Sequence, residues 1–221
     1  MLIVYFGTKG GGGKTSLSVS HAGWLVDHGY EPPAFLDVDV QKLASRWLKS
    51  AEPKIVVREA TTPAEVEKGL NALHAEHSIV IADGPGGFDK QNIVLLRRAD
   101  LIVIPVMASP LDIHSALAGA RELINVVKTK YRVNPKVRFV VNGLDDRTKF
   151  AKEMRSFQSK MKPPATKAAV RRLTALIRSA AQGVIPTRME NERNARQDLD
   201  ALFRELMSLV SSKHAKKVGN G

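Results

Sequence analysis

Short runs of aliphatic residues recur along this chain, and between them apolar positions return every three or four residues. The runs Leu2–Phe6, Ala34–Val38, Lys54–Val57, Ile79–Ala82, Leu101–Met107 and Val137–Val141 have the length of strands. Their nearly unbroken Ile/Val/Leu content predicts strands covered on both faces. The intervening stretches predict helices over Lys14–Asp27, Gln41–Leu48, Pro63–His74, Lys90–Arg97, Pro110–Lys128, Arg147–Met161, Thr166–Ala181 and Glu192–Ser212. Such alternation predicts an α/β layer fold, a mostly parallel twisted sheet with helices on both faces. A single domain over residues 1–212 is expected, followed by a frayed tail at 213–221.

The first run passes directly into TKGGGGKTS, residues 8–16, and then into a helical pattern. Strand, glycine loop and helix in that order make a P-loop. Glycines let backbone N–H groups turn inward around phosphate oxygens, and the helix N-terminus adds partial positive charge. Lys14 is then expected on the β- and γ-phosphates of ATP, with the Thr15 hydroxyl on Mg²⁺. Gly10, Gly11, Gly12, Gly13 and Ser16 complete the nucleotide-binding loop. The plainer alternative, a glycine turn beside an incidental lysine, is disfavoured by the flanking strand and helix.

The spacing departs from G-x-x-x-x-G-K-[ST], because Thr8 stands where glycine is required. The loop instead reads K-G-G-x-G-K-[ST], with Lys9 as the additional lysine. This deviant Walker A loop resembles that of the ParA/MinD family of P-loop ATPases. The resemblance implies that Lys9 reaches across a two-fold interface to a partner subunit's phosphates, so that the homodimer depends on ATP. Without it, Lys9 reads as a solvated charge near a phosphate site.

Further segments fit the same resemblance. FLDVDVQ (35–41) closes a strand, where ligand crevices form on parallel sheets. By match, Asp39 lies beside the γ-phosphate and helps to place Mg²⁺ and the attacking water, one pleat from Asp37. SIVIADGPGG (78–87) resembles a Walker B strand whose Asp83 holds Mg²⁺ through water, followed by a switch loop. Gly86-Gly87 replaces the family's usual residues there and implies a looser loop. Asn142 of VVNG matches the position that reads the adenine edge, and Pro186 of IPTR the loop that covers the base. SPLD (109–112) belongs to the same series of matching segments. The catalytic set implied is Lys9, Lys14 and Asp39, and the metal set Thr15, Asp39 and Asp83.

Charge adds a second theme. Of the 221 residues, 34 are Lys/Arg and 22 Asp/Glu, a net charge of +12. Residues 121–180 hold 16 Lys/Arg against 4 Asp/Glu, so this one stretch carries the whole excess. That favours a polyanion-binding surface over general basicity. Helical spacing sets Phe150, Met154, Phe157 and Met161 on one face, with Lys152, Arg155 and Lys162 on another. In the next predicted helix Val170, Leu173, Leu176 and Ile177 form the apolar stripe, and Lys167, Arg171 and Arg178 the opposing charged side. A phosphate backbone would attract these cations without reading sequence, although a solvated face is the ordinary explanation of a charge run.

The chain has no cysteine, so disulfides and thiolate metal sites are excluded. It opens on a strand and has no apolar run long enough to span a bilayer, so neither a leader nor a membrane span is expected. The resemblance implies a short ParA-type ATPase without an N-terminal helix-turn-helix, cytoplasmic and associated with the nucleoid. It would hydrolyse ATP slowly unless stimulated by a ParB-like or other cargo-bound partner, and its ATP dimer would bind DNA non-specifically. Two alternatives stand beside this. A MinD-like membrane-cycling ATPase would use the stripe Leu199, Leu202, Phe203, Leu206, Leu209 and Val210 as an anchor, although a final helix more commonly packs on its sheet. A scaffold that binds nucleotide without hydrolysis is opposed by the intact Lys14, Thr15, Asp39 and Asp83.

Overall fold

The computed structural model describes residues 1–87, 89–172 and 174–210. Seven strands form one sheet: β1 (Leu2–Gly7), β2 (Ala34–Asp37), β3 (Val57–Glu59), β4 (Val80–Gly86), β5 (Leu101–Met107), β6 (Lys136–Leu144) and β7 (Val170–Arg171). Their order is β3-β2-β4-β1-β5-β6-β7, and every pairing is parallel. The helices among the described residues are α1 (Lys14–Asp27), α2 (Leu43–Ala51), α3 (Pro63–Glu76), α4 (Lys90–Arg98), α5 (Pro110–Tyr131), α6 (Lys149–Gln158), α7 (Thr174–Gln182) and α8 (Arg193–Val210).

The central strand shows why its sequence is apolar throughout. Leu2, Val4 and Phe6 enter the core shared with α3, α4 and α5, while Ile3 and Tyr5 enter the core shared with α1, α2 and α8. Period-two alternation sends each side chain to one of two hydrophobic layers, so neither set can be polar. Connections between strands are helical, as parallel pairing requires. At the start of α3, Thr62 and Glu65 form a reciprocal capping box, with Pro63 at the first helical position.

The predicted helix over Thr166–Ala181 does not form as such. Residues 164–172 instead cover the outer edge of β6. Phe139 N–H donates to the Pro164 carbonyl (3.1 Å), Thr166 N–H to the Phe139 carbonyl (2.8 Å) and Arg172 N–H to the Leu144 carbonyl (2.9 Å). An uncovered parallel edge would leave those backbone groups unpaired, and this outweighs a helical apolar spacing. Val170 is accordingly a buried strand residue, and α7 begins only at Thr174 with Ile177 76% exposed. Leu173 lies outside the described residues. The strand expected at Lys54–Val57 forms later, at Val57–Glu59, on the opposite edge. Helix α6 stops at Gln158, ahead of the Pro163-Pro164 pair, so Met161 is buried outside it and Phe157 stays 43% exposed.

Leu199, Leu202, Phe203 and Leu206 of α8 are fully buried against the sheet. The stripe that a membrane anchor would need is therefore core. The expected frayed tail lies outside the described residues. Leu202→Ala is expected to destabilise the chain by about 2–5 kcal/mol, measured by urea unfolding. A loss below about 1 kcal/mol, the scale of an exposed position, would contradict this packing.

Candidate functional site

The carboxyl ends of β1, β2, β4, β5 and β6 converge at Gly7, Asp37, Asp83, Met107 and Asn142, where an open parallel sheet binds ligands. Residues 8–13 join β1 to α1 across this crevice. Gly12 lies against β5, where an added Cβ would sit 2.6 Å from the Pro105 carbonyl oxygen. Gly13 has φ +93° and lies against β6, where a Cβ would sit 2.2 Å from Asn142 Nδ2. Backbone excludes a side chain at Gly12 and positive φ disfavours one at Gly13, so the loop lies close against the sheet. Helix α1 has no side-chain cap and no acidic residue in its first turn. Its first N–H groups therefore keep their capacity for an anion.

Lys14 is 8% exposed and packs along Gly7. Thr15 Oγ1 donates to Asp83 Oδ2 at 2.7 Å. Asp83 is buried, and its Oδ1 has no hydrogen-bond partner among the described residues. Burial pushes this carboxyl up to about 7. The Thr15 hydroxyl opposes that rise, and the negative charge of Asp37 adds to it. Asp37 stands beside Asp83 in register on β2. A buried carboxylate with one oxygen unpaired, next to a hydroxyl at the mouth of an anion-binding loop, has the donor chemistry for Mg²⁺. Among the described residues no group of three His/Asp/Glu side chains could hold a metal by itself. Mg²⁺ is commonly held in just this way, by one or two protein oxygens together with phosphate and water.

The two carboxylates of D-x-D separate in role. Asp37 is fully buried; it accepts from Ser45 N–H (2.9 Å) and Asp39 N–H (3.2 Å), tying the turn into α2 to β2. Asp39 is half-buried beyond the strand end, with Oδ1 accepting from Gln41 N–H at 2.9 Å. Its charge is felt at Asp83. Lys9 does not fold back toward Lys14. Its side chain is 53% exposed and is ion-paired to Asp112 in the first turn of α5.

The loop after Asp83 is tied at both ends. Gly87 N–H donates to the Gly7 carbonyl at 3.0 Å, and Asn92 Nδ2 of α4 donates to the carbonyls of Pro85 (3.0 Å) and Gly87 (2.8 Å). Sequence reasoning missed Asn92, since nothing at that position signals a partner brought in by the chain's return.

The two base-side candidates each have a structural partner of their own. Asn142 Nδ2 donates to the Gly12 carbonyl at 3.0 Å, bracing the P-loop. Pro186 lies beyond α7 in a 3₁₀ turn and is buried, with its neighbour Ile185 against Gly23 of α1. Ser16 and Thr15 instead edge a cavity of about 500 Å³ between Arg46 and Trp47 of α2 and the end of α7.

The basic candidates also divide. Arg171, expected on a helix beside Lys167 and Arg178, is a strand residue, and its guanidinium is bidentate to Asp198 (2.6 and 2.9 Å). It is neutralised within the fold. Arg155 pairs with Asp146 at 2.6 Å, and Arg178 lies 4.0 Å from Glu192. Lys152 and Lys167 are exposed.

Fold and site together define a P-loop ATPase of the ParA/MinD type. More narrowly, the chain belongs to the VirC1 protein family, whose sequence model matches residues 1–208. It is 25% identical over 209 residues to the maintenance of carboxysome distribution protein A of Halothiobacillus neapolitanus, covering 90% of this chain and 93% of that one. It is 28% identical over 133 residues to protein VirC1 of Rhizobium radiobacter, a match spanning 57% of each. The fold superimposes on that of a McdA–ATP complex from Cyanothece with a TM-score of 0.76 at 13% identity, covering 96% of this chain and 97% of that one.

An acid whose folded pKa lies above its unfolded value stabilises the fold while protonated, and that contribution is lost as pH rises from about 4 toward about 7. Buried His21, pushed down to about 3, acts oppositely, losing its contribution as pH falls. The difference between variants isolates Asp83. Without nucleotide or divalent metal, Asp83→Asn is expected to gain stability relative to wild type from about pH 4 to about pH 7, read by urea unfolding. A difference independent of pH would contradict the raised carboxyl.

Proposed function

We propose that this chain is an ATP-driven positioning ATPase in which two copies close face to face over two ATP molecules. The closed dimer binds DNA without sequence preference, and a cargo-bound partner stimulates hydrolysis and release. One observation carries the reading. Lys9 stands exposed on the rim of the phosphate crevice, ion-paired to Asp112, and Leu111 next to Asp112 is an exposed apolar side chain. A lysine serving only its own chain's nucleotide would turn inward, as Lys14 does. An exposed apolar side chain beside the pair suits burial by a second copy.

Within each copy, the backbone of Gly10–Gly13 and the start of α1 bind and orient the triphosphate. Lys14 places a buried cation on the β- and γ-phosphates. Thr15 and Asp83 would hold Mg²⁺, which when bound neutralises charge on those phosphates. In this reading Asp39 orients a water for in-line attack, and Lys9 adds charge from the partner side. Phosphoryl transfer needs chiefly such positioning and charge neutralisation. The lysines of α6 and of the 160–167 segment supply the DNA-facing charge, and a cytoplasmic, nucleoid-associated location follows from this reading. The relative named for carboxysome distribution supports cargo positioning as the class of task. The partner is a ParB-like or other cargo adaptor. Membrane cycling is less well supported, since Leu199, Leu202, Phe203 and Leu206 of the α8 stripe are core.

Lys9→Ala is expected to retain ATP binding yet to weaken the ATP-dependent dimer by about tenfold or more per lost charged contact, read by sedimentation with a non-cleavable analogue. A variant that dimerises like wild type would remove Lys9 from the interface. Retention on DNA should require ATP and fall with salt. Lys152→Ala with Lys167→Ala should flatten the slope of log affinity against log salt by about 2 per chain. Equal retention with ATP and ADP, or an unaltered slope, would contradict the DNA assignment.

A further inference from the structure

Lys9 already has an anionic partner inside its own chain. Asp112 sits in the first turn of α5, whose N-cap is Ser109 and whose first residue is Pro110. The free N–H groups of a helix start favour negative charge there. Asp112 is thus a fixed counter-ion, and the Lys9 ammonium beside it holds its carboxyl below the usual range. The pair bridges a cleft of about 220 Å³ between the P-loop and the end of β5. The Lys9 side chain is 53% exposed and Asp112 29%, so the contact lies at the surface, where it can be exchanged. Leu111, next to Asp112, is 83% exposed on the same rim.

One ammonium cannot occupy its own chain's carboxylate and another chain's phosphates together. Building on the dimer reading above, we propose that Asp112 is a positioning residue that holds Lys9 within the monomer and opposes ATP-driven closure. Dimerisation then exchanges two intrachain ion pairs for two lysine–phosphate contacts. Asp112 sets how much of the phosphate attraction is spent on that exchange. After Lys9 leaves, the Asp112 carboxylate remains stabilised by the α5 N-terminus, so the exchange strands no buried charge.

The test is the dimer dissociation constant of the full chain, with Mg²⁺ and a non-cleavable ATP analogue, measured by sedimentation equilibrium. Exposed ion pairs of this kind are worth roughly two- to fivefold each, so Asp112→Asn should tighten the dimer by about four- to twenty-fivefold for two pairs. Asp112→Glu, which restores the charge, should return it toward wild type. In the Lys9→Ala background, Asp112→Asn should produce no tightening, because the cation it acts through is gone. An Asp112→Asn dimer as weak as wild type or weaker would overturn the proposal. So would an equal gain with and without Lys9, which would indicate only a general charge effect. A wild-type chain that stays monomeric with the analogue would defeat the dimer reading itself, and with it this inference. Wild type alone reports that outcome, so the two failures are told apart.

Discussion

The hydrogen bond from Thr15 Oγ1 to Asp83 Oδ2 organises the crevice. It joins the first turn of α1 to the end of β4 through a carboxylate removed from water. Such a carboxylate is costly unless hydrogen-bonded or neutralised. Here one oxygen is satisfied and the other has no protein partner among the described residues. The surrounding structure holds this arrangement in place: Asp37 stands beside it in register, Lys14 lies buried near it, and β4 continues past it into a loop tied to β1 and α4. The unfavourable electrostatics of the unliganded carboxylates are what a divalent cation with a triphosphate would relieve.

The same crevice separates two kinds of lysine. Lys14 is held by the fold, packed along Gly7 and almost without exposure. Lys9 is held by one surface ion pair. A buried cation is preorganised for a ligand bound in its own chain, whereas an exposed one can be redirected at small cost.

The basic stretch shows how charge count and charge availability differ. All the net excess of the chain falls in residues 121–180, yet Arg171 is committed to Asp198 and Arg155 to Asp146. Asp146 lies nine residues before Arg155, whereas Asp198 lies outside the stretch altogether. The cations exposed on the surface include Lys149 and Lys152 of α6 and Lys160, Lys162 and Lys167 after it, together with Arg121, Lys128 and Lys130 of α5. Such a surface suits phosphate attraction without base readout.

The alternation of buried strands and amphipathic helices, the P-loop and the strand-end carboxylates were legible in the sequence because each depends on local pattern. Two-faced burial demands unbroken aliphatic runs, and close phosphate approach demands glycines. Only the tertiary structure decided the rest. Residues 166–172 became a sheet edge and not a helix, because β6 required backbone partners that no periodicity announces. Asn142 came to brace Gly12, Pro186 was buried beyond α7, Asn92 tied the loop after Asp83, and Asp112 met Lys9. Each of these depends on which strand lies beside which, and parallel topology brings together residues far apart along the chain.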